Sequence, residues 1–291
     1  MKKYNIFRNI ALGALVVSSL SSCEDYLSLS NPNKTTVETF WTDLKDTKSG
    51  LYATYAALRN DYVLNIREEA WRSDLCWPGY GRPQPQNNAE GWNWYCQNYT
   101  NSTVAISSKW DALYISIWRA NQVIEALERI KDTVSGDEIE TWNIQMGHAR
   151  FIRGLMYFYL HSSFNNGSVV LRTSTAQSFN LPLSPAEDVL KFFREDLEVA
   201  YDLLPVPQDV TSDYEGLATK GTAATIQGIS YLYEKEYSEA EMKFKDVIDN
   251  YAMNWNRTGL KCLLTQVSLI LSLFLKFHIR WITDRISQLG I

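Results

Sequence analysis

Apolar residues recur with the period of an α-helix through the middle of the chain. Over residues 110–131 they follow one another at steps of three and four, at Leu113, Ile117, Ala120, Ile124 and Leu127. That spacing places them on one face of an amphipathic helix. We predict further helices over residues 44–59, 135–163, 184–204, 217–233 and 238–251, and one short strand over 169–172. The chain is therefore predicted to be mostly α.

The last two predicted helices have the residue spacing of a tetratricopeptide repeat, which is a pair of packed helices. Its small and aromatic positions are filled here by Gly228, Tyr231, Tyr237, Ala240 and Phe244. Gly154 and Tyr157 repeat the first two of these positions earlier in the chain. Because such units stack into a scaffold, we expect tetratricopeptide-like helix pairs joined by long irregular loops.

Composition and motifs exclude several classes of function. The formal net charge is −5, so the basic surface needed for nucleic-acid binding is not expected. Three histidines, and cysteines without ligand spacing, give no basis for a metal site or a cofactor. Phosphate-binding loops and Gly-x-Ser-x-Gly motifs are absent. We interpret His148 and His161 as polar residues at helix contacts. Abundant carboxylates leave a glycosidase-like pair open, but none is favoured by its surroundings, so no enzyme is expected.

The first 22 residues have the pattern of an export signal. A basic start precedes an apolar run over 10–17, which is too short to span a bilayer, and serines follow it. The signal ends in Leu-Ser-Ser-Cys at residues 20–23, which resembles a lipobox. We therefore expect residues 1–22 to be removed and Cys23 to carry a lipid anchor. The alternative is a secretory peptide that has a cysteine near its cleavage site by chance.

Residues 255–291 differ in composition from the rest of the chain. Of these 37 residues 13 are Leu or Ile, and five basic residues against one acidic residue give a net charge of +4. Residues 23–254 carry 20 basic and 32 acidic residues, which is a net charge of −12. Three interpretations fit this change: a buried C-terminal helix, a membrane segment, and a frame-shifted tail.

Residues 71–109 show no helical period and are rich in Pro, Gly, Asn and Gln, so we predict a long irregular loop. Six of the ten tryptophans lie between Trp71 and Trp118. Aromatic rings interleaved with amides suit sugars, because a ring packs on the apolar face of a pyranose while amides bond its hydroxyls. The candidate carbohydrate-binding residues are Trp71, Trp77, Tyr80, Trp92, Trp94 and Tyr95. The alternative is that these rings only pack the loop onto the helices.

Two cysteines, Cys76 and Cys96, lie in the same segment, 20 residues apart. An exported protein is in a compartment that permits disulfides, and a bridge here would stabilise the fold by about 3 kcal/mol. Two free thiols are nearly as well supported, so both states stay open.

Several short stretches, taken in order along the chain, resemble the SusD/RagB family of outer-membrane glycan-binding lipoproteins. They are residues 40–41, 51–58, 71–74, 110–114, 119–121, 149–158, 196–197, 203–205 and 219–224. The most specific stretch is 149–158, with the sequence ARFIRGLMYF. Its two arginines, Arg150 and Arg153, are interpreted as structural, since arginines on such a helix usually pair with a carboxylate.

The resemblance implies a mostly helical fold, no catalysis, and a truncated SusD-like domain over residues 23–254. It implies a lipoprotein on the outer-membrane surface, held there only by its lipid anchor. Such a protein captures glycans and passes them to a SusC-like TonB-dependent transporter. Because family members are longer than this chain, the resemblance favours a frame-shifted tail. Two other functions stay open: a tetratricopeptide-type scaffold lipoprotein without a sugar ligand, and an exported hydrolase.

Overall fold

The computed structural model of the chain describes residues 40–251, except for residues 74, 81–86 and 179. The signal segment 1–22, the lipid-anchor candidate Cys23 and the tail 255–291 lie outside the described residues. Within the described ranges the regular elements are helices and no strand is present, which confirms the mostly α fold. The α-helices are α1 (Leu44–Ala57), α2 (Asp61–Leu64), α3 (Ile66–Arg72), α4 (Ala89–Tyr95), α5 (Val104–Ile130), α6 (Glu138–Ser163), α7 (Ala186–Leu203), α8 (Lys220–Tyr233) and α9 (Tyr237–Asp246).

The predicted helices exist, and most begin within three residues of the expected position. Helix α6 begins at Glu138 rather than at residue 135 because Gly136 has a φ of +57°, which interrupts the helix before it. A π-helical turn, Val247–Tyr251, follows α9. The strand predicted over 169–172 is wrong: this segment has no regular secondary structure.

The prediction of a single irregular loop over 71–109 is wrong in three places. Its first two residues end α3, it contains α4, and α5 begins at Val104, six residues before the predicted start at 110. Helix α4 has only seven residues, too few to show a helical period in the sequence. The start of this helix is determined instead by its N-cap, because the Asn88 side chain accepts a hydrogen bond from the Gly91 N–H at 2.8 Å.

The core forms where α6 packs between α5 and α7, with α1 lying against α5 and α6. Several side chains from these helices are fully buried: Leu51, Ile117, Leu127, Ile152, Met156 and Leu197. Burying each such aliphatic side chain contributes about 1.5–3 kcal/mol. The long helices therefore make a rigid base to which the shorter elements α2–α4 are attached.

Two glycines at helix crossings confirm the predicted close approach of paired helices. A Cβ at Gly228 of α8 would lie 2.7 Å from the Phe244 ring of α9. A Cβ at Gly154 of α6 would lie 3.1 Å from both the Leu197 side chain and the Phe193 carbonyl oxygen of α7. At both crossings a larger residue would force the helices apart.

The arginines of the most specific sequence stretch hold α6 to α7. Arg153 binds Asp196 with two bonds, Nε to Oδ2 at 2.7 Å and Nη2 to Oδ1 at 2.8 Å. Arg150 Nη1 donates to Asp196 Oδ1 at 2.9 Å, and Arg153 Nη1 donates to Asn121 Oδ1 of α5 at 2.8 Å. These bonds confirm the structural interpretation of Arg150 and Arg153.

The buried side chain of His148 joins α6 to its neighbours. Its Nδ1 lies 2.8 Å from the Tyr55 hydroxyl of α1, which also accepts from the Ala218 N–H. The imidazole stacks on Tyr214, with ring centroids 5.3 Å apart. These contacts confirm that His148 is a polar residue at a helix contact. Burial lowers the pKa of this imidazole from 6.5 to about 3.

We expect His148 to make the fold less stable in acid. Between pH 6.5 and pH 3 the unfolded chain takes up a proton at this residue that the folded chain does not. Between pH 6 and pH 5 this should lower the free energy of unfolding by about 1 kcal/mol. Urea unfolding at both pH values, with the wild type and with His148→Phe, measures the difference. Equal losses in the two proteins would show that His148 does not titrate in this way.

Candidate functional site

Three aromatic rings form a cluster at the surface beside α4. Trp92 and Tyr95 lie one turn apart on α4, with nearly parallel rings whose centroids are 5.8 Å apart at an interplanar angle of 16°. Trp77, from the segment before α4, lies edge-on to both, at 5.7 Å from Trp92 and 5.1 Å from Tyr95. All three side chains are partly exposed. We refer to Trp77, Trp92 and Tyr95 as the ring cluster.

The position of Trp77 in the ring cluster is fixed by contacts between its segment and α4. Asn88 Nδ2 donates to the Pro78 carbonyl oxygen at 2.7 Å, while the oxygen of the same amide caps the helix. Gly91 has no side chain, and a Cβ there would lie 2.8 Å from Pro78 Cβ. The segment therefore packs directly on α4, which holds Trp77 against Trp92.

The other candidate aromatic residues have different surroundings. Trp94 is only 3% exposed and stacks on Tyr99, with ring centroids 4.4 Å apart. It packs the fold and does not line the surface. Trp71 is on α3, where the Arg67 guanidinium lies 5.4 Å from its ring centroid. Tyr80 is 63% exposed.

The polar residues of this segment divide between structural and exposed positions. Asn88 caps α4, and Gln97 Nε2 donates to the Arg72 carbonyl oxygen at 3.4 Å. Asn87 and Asn93 are exposed. Partly exposed rings beside exposed amides can bind a sugar, because the rings cover its apolar face and the amides bond its hydroxyls.

Both cysteines of the segment, Cys76 and Cys96, are exposed and free in the structure. Of the two states that the sequence allows, the structure has the free thiols and not the disulfide bridge. The segment is held by the bonds of Asn88 and by ring packing instead.

A charged group that the sequence did not predict lies next to this segment. Arg72, Glu69 and Lys109 come together with Tyr99 beside the packing of α3 on α4, where Lys109 of α5 approaches Glu69 of α3. Arg72 stands in one of the family-like stretches, but neither its contact with Glu69 nor the approach of Lys109 has a sequence signature. None of the helices in the described residues has both the length and the hydropathy of a membrane span.

Comparison with solved structures places the fold among known ones. A SusD homologue from Bacteroides thetaiotaomicron superposes with a TM-score of 0.64 at 21% identity, over 76% of this chain and 44% of that one. A laminarin binding SusD-like protein superposes with a TM-score of 0.58 at 23% identity, over 70% of this chain and 43% of that one.

Comparison of sequences agrees with this fold. The chain is 28% identical over 272 residues to the SusD-like protein P38 of Formosa agariphila. The alignment covers 88% of this chain and 48% of that protein. The chain thus spans about half the length of this curated relative. A model of SusD-like proteins described as "starch-binding associating with outer membrane" matches residues 25–233. Since that match covers most of the chain, the protein belongs to the SusD-like family of carbohydrate-binding, outer-membrane-associated proteins.

Proposed function

We propose that this protein is a cell-surface lipoprotein that captures oligosaccharides for uptake through a partner TonB-dependent outer-membrane transporter. The observation that carries the proposal is the ring cluster of Trp77, Trp92 and Tyr95, set on a rigid helical base within a family of carbohydrate-binding proteins. Glycan capture needs an accessible aromatic surface, and the ring cluster supplies one.

The geometry of the ring cluster suits stacking with a sugar. Trp92 and Tyr95 are nearly parallel, and Trp77 stands edge-on to both, so the three rings make a corner rather than a flat stack. Rings held in place before binding lose little conformational freedom when a ligand arrives. The bonds of Asn88 to Gly91 and Pro78 provide this preorganisation.

Attachment to the membrane is proposed to occur through Cys23, which the lipobox-like residues 20–23 would make the first residue of the mature chain. A cysteine with several acyl chains makes a stable anchor without a transmembrane helix. Intact-mass measurement of the membrane-extracted protein should then show acyl groups on Cys23. An unmodified N-terminus would contradict this proposal.

Transfer of the glycan to a transporter is proposed from the family resemblance, and capture does not require that the glycan be cleaved. We therefore expect binding without release of new reducing ends. Such a protein would raise the local concentration of oligosaccharides at the transporter entrance.

The experiment is affinity electrophoresis of the 291-residue chain in gels that contain starch, laminarin or other glycans. We expect at least one glycan to slow migration, and Trp92→Ala to remove this effect while the melting temperature changes little. Trp118→Ala is the matched control, because Trp118 is a 50% exposed tryptophan on α5.

Three outcomes would overturn the proposal. If no glycan slowed the wild type, the scaffold function would be favoured. Release of reducing ends from a bound glycan would indicate a hydrolase. Equal retardation of Trp92→Ala and the wild type would place the binding surface outside the ring cluster.

A further inference from the structure

Two basic side chains, Arg72 and Lys109, share the carboxylate of Glu69 next to the segment that carries the ring cluster. Arg72 Nη2 forms an ion pair with Glu69 Oε2, and Lys109 Nζ lies 3.7 Å from Glu69 Oε1. Arg72, Lys109 and Glu69 therefore carry a net charge of +1. We refer to Arg72 and Lys109 as the cation pair.

The buried ammonium group of Lys109 has little negative charge to compensate it. Its side chain is only 11% exposed, and its distance of 3.7 Å from Glu69 is longer than a hydrogen bond. An ammonium group has three donors, and taking it out of water is costly unless it is paired. Burial lowers its pKa, the nearby Arg72 lowers it further, and Glu69 only partly offsets these effects.

Among the described residues, two other carboxylates in this region act on Arg67. Glu68 is buried and is bound by its neighbour Arg67 at 2.7 Å. Glu90 acts electrostatically on Arg67. A local positive charge is unexpected here, because residues 23–254 carry a net charge of −12.

The cation pair is connected to the ring cluster through α4. Arg72 Nη1 lies 3.5 Å from the Tyr99 hydroxyl, and Tyr99 stacks on Trp94. Trp94 stands between the ring-cluster positions 92 and 95 on the same short helix. Arg72 therefore lies beyond the buried Trp94 side of α4, and a helix with its side chains is about 10–12 Å across. A glycan of a few sugar units that extends around α4 could contact both the ring cluster and Arg72. The Arg72 side chain is 44% exposed and is therefore open to a ligand.

We propose that the site prefers glycans with anionic groups, either uronic acid carboxylates or sulfate esters, and that Arg72 binds the anion while Lys109 adds a second positive charge. This inference rests on the proposed function, since it names the class of glycan bound at the ring cluster. A guanidinium group suits such oxyanions because it can donate two parallel hydrogen bonds to them.

The experiment compares chemically matched glycans on the 291-residue chain. Laminarin and amylose oligosaccharides are each used in three forms. These are the native form, a form whose C6 hydroxymethyl groups are oxidised to carboxylates, and a form that carries sulfate esters. Calorimetric titration in 50 mM salt should give at least one anionic form an affinity about tenfold above its native form, the effect of one charge-assisted hydrogen bond. The oxidised and sulfated arms distinguish the two sources of negative charge.

Variants test whether the cation pair causes the preference. Arg72→Gln should remove the tenfold gain of the anionic form over its native form. Arg72→Lys should retain part of the gain, which shows that the site still folds. Arg129→Gln is the control, because it removes one exposed arginine from the end of α5. Lys109→Met should reduce the gain as well.

The outcomes separate this inference from the proposed function. Binding of native forms at least as tightly as anionic forms would overturn the inference and leave the proposed function standing. An equal loss in Arg72→Gln and Arg129→Gln would also overturn it, because the attraction would then be non-specific. If no form bound, both the proposed function and the inference would fail.

Discussion

Replacing Asp196 with asparagine should lower the free energy of unfolding by about 3–5 kcal/mol, since removal of one partner from a buried ion pair leaves the other unpaired. Asp196 is 1% exposed and is the shared acceptor for Arg150 and Arg153. Without the negative charge of Asp196, the Arg153 guanidinium would keep only neutral partners such as Asn121, although its side chain is only 4% exposed. Urea unfolding followed by circular dichroism measures the change.

The adjacent residue provides the control for Asp196. Glu195 pairs with Lys191 at 3.8 Å on the outer face of α7, where both side chains are well exposed. Because exposed pairs contribute about 0–1 kcal/mol, Glu195→Gln should have almost no effect on stability. If Asp196→Asn were equally harmless, the Arg150–Arg153–Asp196 group would not hold α6 to α7.

Replacing Trp94 with alanine should also cost about 3–5 kcal/mol, the usual effect of removing a buried aromatic side chain. Trp94 is 3% exposed and stacks on Tyr99, so its removal would leave a cavity between α4 and its neighbours. Thermal and urea unfolding measure the loss. We expect binding by the folded fraction to be affected less than stability.

The comparison with Trp92 makes this prediction specific, because the two residues lie on the same seven-residue helix. Trp92→Ala should retain most of the stability and lose glycan binding, while Trp94→Ala should do the reverse. The assignment of one ring to the surface and the other to packing would be wrong if both variants lost stability equally.

Much of the fold could be predicted because the long helices have regular apolar faces. The pattern of Leu113, Ile117 and Leu127 gave α5 its buried side, and Gly228 correctly indicated the close crossing of α8 and α9. Helix α4 could not be recognised in this way. It is too short for a periodic pattern, and its position depends on the bonds of Asn88 to Gly91 and Pro78.

The site could be predicted only as a region. Composition indicated aromatic residues over 71–99, but it could not separate Trp92 from Trp94, since exposure depends on which side of α4 faces Tyr99. The structural role of Arg150 and Arg153 was correctly inferred, but their shared partner Asp196 is 43 residues or more away and only the packing of α6 on α7 identifies it. The approach of Lys109 to Glu69 is likewise a product of tertiary packing.

Calorimetric titration of the wild type, Trp92→Ala and Trp118→Ala with one glycan that slows the wild type in gels tests the central claim most directly. If the ring cluster binds the glycan, Trp92→Ala should weaken binding by about 30-fold or more, as expected for an aromatic residue at the centre of a contact. Trp118→Ala should bind as the wild type does. An unchanged dissociation constant for Trp92→Ala would contradict the account.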